Sequence, residues 1–126
     1  QRMVALLRGA SRLTPTFRFR GGSTKLDAQS AGNVADLARA LESGVFDDRE
    51  LLFVGFSDSD GNWQVNRRIS SLRAEAVRNA VLAAAVTADQ SRVGLAIEAF
   101  GEAMPMACDD TEWGRSVNRR VEVWLR

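Results

Sequence analysis

Gly55 to Val77 reads GFSDSDGNWQVNRRISSLRAEAV, packing acidic residues, a glycine turn and an arginine-bearing helical pattern into one stretch. It admits three readings: a metal loop, an anion site, or a strand, a turn and a helix with charged surfaces. Asp58, Asp60 and Asn62 fall at the first, third and fifth positions of an EF-hand loop. The sixth position, which must turn sharply through glycine, is Trp63, and the twelfth, which must be a bidentate glutamate, is Ile69. The stretch also follows an apolar run in place of a helix, so calcium is set aside and no metal site is expected.

The turn reading explains more. Asp60-Gly61 supplies a positive-φ step, and Asn62 fits the N-cap of a helix reaching about Ala85. The stripe expected to face inward is Val65, Ile69, Leu72, Ala76, Val77, Ala80, Val81 and Ala84. Asn66, Ser70 and Arg73, at i, i+4 and i+7, share a face beside that stripe. They lie close to the strand end from which Asp58 emerges. An arginine and an aspartate converging near a helix N-terminus give one anchor for each sign of charge. Such a site suits a zwitterion, with its carboxylate on Arg73 and backbone N–H groups and its ammonium donating to Asp58. The same two residues also make a satisfied ion pair bracing loop to helix, and spacing alone favours that plainer reading.

Outward from this stretch, Leu51–Phe56 (LLFVGF) is a continuous apolar run, the pattern of a strand covered on both faces. Thr16–Arg20 (TFRFR) alternates, with Phe17 and Phe19 on one face, and Gly21-Gly22-Ser23 ends it. Asp27 or Ser30 caps a helix to about Leu41 with Val34, Leu37, Ala38 and Leu41 inward, and Ser43-Gly44 stops it. Val93–Phe100 reads as a third strand. Arg120–Leu125 reads as a fourth, with Val121, Val123 and Leu125 inward, and Arg115–Asn118 as one helical turn before it. The order β-α-β-α-β-β implies an α+β domain with helices packed on one mixed sheet.

Composition narrows the chemistry. A chain of 126 residues, 45% hydrophobic, suits one globular domain with a real core. Its net charge of +1 is no footprint for nucleic acid, although sixteen of its seventeen basic residues are arginine. With no histidine and Cys108 as the only cysteine, histidine-dependent catalysis, Cys/His nucleophiles and zinc are excluded or nearly so. The Gly21-Gly22 turn lacks both GxGxxG and GK[ST], so no nucleotide or other cofactor is expected. Asp47, Asp48 and Glu50 read as a solvated loop, and no catalytic dyad stands out. No apolar run reaches the length of a membrane span. The opening QRMVALLRGASRL carries no signal peptide, so residues 1–13 are expected to be a lead-in from a missing upstream region and 14–126 the domain.

GFSDSDGNWQVNRRISSLRAEAV resembles the signature of the OmpA-like peptidoglycan-binding domain, a module shared with the peptidoglycan-associated lipoprotein and the flagellar stator protein MotB. Gly55, Ser57, Asp58, Gly61, Asn66, Ile69-Ser70 and Arg73-Ala74 stand in its register. A second block follows in order: Gly101-Glu102, Pro105, Asp110-Thr111, Gly114-Arg115 and Asn118 to Glu122. Phe17-Arg18-Phe19 and Leu26 fit the opening strand and loop. The likeness runs from about residue 14 to the end.

The resemblance implies a βαβαββ fold, two helices on a mixed four-stranded sheet. It implies a non-catalytic module, without cofactor or metal, whose partner is peptidoglycan of the diaminopimelate type. In that family the aspartate after the second strand and the helix arginine hold the amino-acid end of diaminopimelate; they fall on Asp58 and Arg73. The helix asparagine falls on Asn66. Ser57 and backbone near Phe56 would fix orientation, and the loop Gly21 to Thr24, with Gly22 and Ser23, would line the pocket. The implied location is the periplasm or cell envelope of a Gram-negative bacterium, with outer-membrane association through the upstream region. The tail from Pro105 onward also resembles domains fused behind a periplasmic solute-binding module, and a homodimer stays open. Phe56 stands where a polar residue is common, Arg20 where the first loop is commonly acidic, and Ser57 where threonine is usual. Arg20 and Phe56 favour the alternative of a structural or dimerisation domain that has lost its ligand.

Overall fold

In the computed structural model of the chain, residues 8–19, 24–57, 62–101 and 119–126 are described. The elements are β1 (Ser11–Arg18), α1 (Ala28–Glu42), β2 (Glu50–Phe56), α2 (Trp63–Ala84), a short 3-10 turn (Gln90–Arg92), β3 (Gly94–Gly101) and β4 (Arg120–Leu125). The four strands form one sheet in the order β1-β4-β2-β3. β4 runs antiparallel to both β1 and β2, while β2 and β3 are parallel. The fold is α+β on a mixed sheet, in the element order expected from sequence. Residues 115–118, expected to form a helical turn, lie outside the described residues.

β2 decides the layering. It is flanked by β3 and β4, and its side chains from Leu51 to Phe56 are all buried. Alternation sends Leu51 and Phe53 into the core beneath the helices, with Phe17 and Phe19, Leu37 and Leu41 of α1, Val77 and Val81 of α2, and Val121 and Val123 of β4. Leu52, Val54 and Phe56 point to the other face, where they pack with Ala96, Phe100 and Trp124. The continuous apolar run was therefore a faithful sign of a strand buried on both sides.

Two expectations need correction. The first strand begins at Ser11, inside the expected lead-in, and ends at Arg18, not Arg20. Its register on β4 shifts between Arg12 and Thr16, around Pro15, which has no N–H to give. That irregularity breaks the alternation and hides the strand's first half from a periodicity reading. The second correction concerns α2. Val65 and Leu72, expected inward, are 54% and 42% exposed, and Ala84 is exposed too. The buried face is instead Asn66, Ser70, Arg73, Ala74, Val77 and Val81.

Gly55 supplies the reason. A Cβ built on Gly55 would lie 2.1 Å from the carbonyl oxygen of Ser70. The backbone of α2 thus rests directly on the β2 backbone, and a bare glycine below and a small serine above permit it. The Ser70 hydroxyl, itself buried, donates to the Asn66 carbonyl at 2.7 Å, so it needs no partner from the strand. The N-terminal half of α2 consequently meets the sheet through small and polar residues, and only its second half uses an apolar stripe.

Helix ends are held by the expected caps. The Asp27 carboxylate accepts from Ser30 N–H at 2.8 Å, and the Asn62 side chain accepts from Gln64 and Val65 N–H. Past the end of α2, Thr87 donates to Glu42 through both its N–H and its hydroxyl, at 3.0 and 2.7 Å, tying the two helix ends together.

Gly55→Ala is expected to destabilise the domain by about 3 kcal/mol, since both clashing groups are backbone; urea unfolding measures it, and a loss of a few tenths would contradict the contact. The Glu42 latch predicts a pH effect. The Thr87 hydroxyl, then its N–H, hold the Glu42 carboxyl below its ordinary range. A depressed carboxyl adds stability above its unfolded pKa and loses it as pH falls through the folded one. Glu42→Gln should therefore lower stability at neutral pH and flatten the decline below about pH 4. Thermal melts across that range check the slope.

Candidate functional site

The end of β1, the start of α1 and the first half of α2 meet at one pole of the sheet. The Arg18 N–H donates to Ser30 Oγ at 2.7 Å, Asp27 N–H donates to Arg18 carbonyl at 3.1 Å, and Asn33 Nδ2 donates to Thr16 carbonyl at 3.0 Å. A bridge between Phe19 and Leu26 closes the base of the intervening loop. The first loop of the chain therefore springs from a rigid clamp whose ends are stitched together by backbone and side chain alike.

Beside this clamp lies Arg73, only 2% exposed, with its guanidinium carbon 5.5 Å from the centre of the Phe19 ring. A cation over an aromatic face is favourable, the more so when desolvated. Burying a guanidinium this deeply is nevertheless costly without hydrogen bonds and opposite charge. One and two turns toward the helix start, Ser70 and Asn66 are buried on the same face, and Ser57 is buried just past the end of β2. Arg73 and Asn66 are thus buried on one face of α2, and Ser57 is buried where β2 ends. Phe56 differs: its ring belongs to the far face of the sheet, 6.1 Å from that of Phe100. Only its backbone is available on the Arg73 side. Asp58, Gly22, Ser23 and Arg20 lie outside the described residues, as does Cys108.

The OmpA family model matches residues 18–119, most of the chain, and includes every element from the end of β1 up to β4. The chain belongs to the OmpA family. It is 30% identical over 107 residues to the probable lipoprotein YiaD of Escherichia coli (strain K12), covering 85% of this chain and 46% of that protein. It thus spans less than half the length of that curated relative. The peptidoglycan-associated lipoprotein of Burkholderia pseudomallei superposes with a TM-score of 0.72 at 24% identity, over 90% of this chain and 91% of that one. The cell wall anchor of the T6SS from Pseudomonas aeruginosa gives 0.64 at 22% identity, over 98% and 93%. At these identities the solved structures establish the OmpA-like fold.

Within this OmpA-like domain, the far face of the sheet holds an arrangement that sequence reasoning missed. Arg120 and Glu122 alternate with Val121 and Val123 on β4, and the sequence reading gave them no place in a core. Both are buried, with Arg120 Nε donating to Glu122 Oε2 at 2.8 Å. The Arg120 guanidinium lies 4.1 Å from the centre of the Phe56 ring. Trp124 Nε1 donates to Glu122 Oε1 at 3.0 Å, and Arg12 reaches the same carboxylate at 3.5 Å. Burial pushes the Arg120 pKa down, and the hydrogen bond and charge of Glu122 oppose this. A signal was present: β2 reads as covered on both faces, so the neighbouring β4 must be covered on both as well. Phe56 thereby gains a role as the platform for Arg120.

Removing one partner of a buried pair strands the other charge. Glu122→Ala should cost about 3–5 kcal/mol, whereas the double variant Arg120→Leu/Glu122→Val should lose far less. Denaturant midpoints of the two proteins decide; equal losses would mean that the pair's charges are not what matters there.

Proposed function

We propose that this chain is a non-catalytic peptidoglycan-binding module that grips the diaminopimelate-containing stem peptide and anchors its parent protein to the cell wall. The observation that carries the reading is the buried guanidinium of Arg73 over Phe19, with Asn66 buried on the same face of α2 and Ser57 buried at the end of β2. It is supported by membership of the OmpA family and by likeness to a peptidoglycan-associated lipoprotein and a cell wall anchor.

In this reading Arg73 donates a charge-assisted pair of hydrogen bonds to the ligand carboxylate. Asp58 accepts from its ammonium, Asn66 and backbone at Phe56 and Ser57 orient it, and Gly22 and Ser23 line the mouth. Binding is reversible recognition with no bond made or broken. The setting is the periplasm or envelope of a Gram-negative bacterium. The alternative, a domain that keeps the fold and has lost its ligand, drew support from Phe56. With its ring on the far face, Phe56 does not argue for that alternative.

Calorimetry with a diaminopimelate-containing muropeptide tests this. Asp58→Ala and Arg73→Ala should each weaken binding by roughly 2–5 kcal/mol while circular dichroism shows a folded domain. Undiminished binding by both folded variants would remove the site assignment, and no binding by the wild type would remove the function.

A further inference from the structure

We infer that the outer edge of β3 and the arginine-bearing flank of α2 form a second binding surface, one that takes an extended, acidic segment of a protein partner as an added strand. A groove of about 550 Å³ runs there, between Gln64, Arg67 and Arg68 on the helix and Ile97, Glu98 and Ala99 on the strand. Successive side chains of a strand point to opposite faces, so three consecutive residues can line one groove only where it follows the strand's edge. The hydrogen-bond phase agrees. Gly94 N–H donates to Arg49 carbonyl across the β2–β3 pair, so Gly94, Ala96 and Glu98 turn their backbone groups toward β2. Leu95, Ile97 and Ala99 then present theirs outward, and among the described residues no strand pairs with that side. Edge strands are usually blunted by proline, lysine or several charges. β3, GLAIEAFG, carries one charge and neither proline nor lysine.

Charge says what kind of strand fits. The first turn of α2 has no acidic residue, and Arg67 and Arg68 are exposed in the second. An added strand would lie beneath these two guanidinium groups on its helix-side face, so acidic residues suit that face. Its other face would lie beside Glu98, where neutral or basic residues suit. Alternation of acid with neutral residues is thus the pattern the groove selects. A second copy of this chain fits poorly: two-fold pairing of β3 with its twin puts both helices on one side of the joined sheet. Arg67 and Arg68 of one copy would then face those of the other.

The probe is a labelled short peptide alternating Glu and Thr, followed by fluorescence anisotropy with the intact chain. We expect binding that weakens about tenfold or more in Arg67→Glu/Arg68→Glu, and likewise when the peptide carries Lys for Glu. Methylating one alternate set of peptide amides should abolish binding while methylating the other set leaves it, the signature of a strand paired along one edge. Equal effects of the two methylated sets, or indifference to the charge reversal, would overturn the proposal. So would displacement of the peptide by a muropeptide, which would make the groove part of the Arg73 site. Self-association removed by Arg67→Glu/Arg68→Glu, without peptide binding, would assign the edge to a second copy.

Discussion

The backbone of α2 lies on the backbone of β2 at Gly55 and Ser70, closer than any side chain would permit. Once helix and strand touch there, the residues one turn away on either side of Ser70 are carried into the interior whatever their polarity. Asn66 and Arg73 occupy those places, and both are buried. An apolar helix face would have stood farther off and sealed the pole with methyl groups. The contact substitutes a hydrogen-bonding wall, with Ser70 bonded to its own helix and Arg73 placed against Phe19. Stability in this half of the helix comes from close approach, and in the other half from Val77 and Val81 in the common core.

Much of this was legible in the chain itself. Element order, both N-caps, the doubly buried β2 and the position of β4 follow from periodicity and capping chemistry, because each rests on contacts within a few residues. The face of α2 was not legible, since apolar periodicity weighs only hydrophobicity. Val65, Ile69 and Leu72 formed a plausible stripe, and nothing local says that a glycine on another strand would rotate the helix toward Ser70. The start of β1 was hidden for a similar reason, the register shift around Pro15 being enforced by β4. Of the candidate site, spacing gave the shared face of Asn66, Ser70 and Arg73. Their depth of burial depends on the close contact and could not be read from spacing.

The two faces of the sheet use charge differently. Beneath the helices the Arg73 guanidinium lies over the Phe19 ring, while on the opposite face Arg120 and Glu122 are buried as a pair, with Phe56 under the arginine and Trp124 bonded to the carboxylate. Phe56 shows how one position can mislead. In sequence it stands just before Ser57 and Asp58 of the signature and invites a role in recognition. In space its ring is a support for β4. Adjacent residues on a strand belong to different sides of the molecule, so a motif that crosses a strand end mixes two jobs in one string of letters.

The strand order carries a kinetic consequence. β4, the last strand of the sheet, is inserted between β1 and β2, and β1 has no other sheet partner among the described residues. Pairing Phe17 with Val121 closes a loop of nearly the whole chain, an entropic cost that must be met before the contact rewards it. A growing chain can form α1, or β2 with α2 and β3, but it cannot close the sheet until its final strand has been made. The joining of β1 to the rest of the sheet therefore has to wait for β4, whatever forms before it.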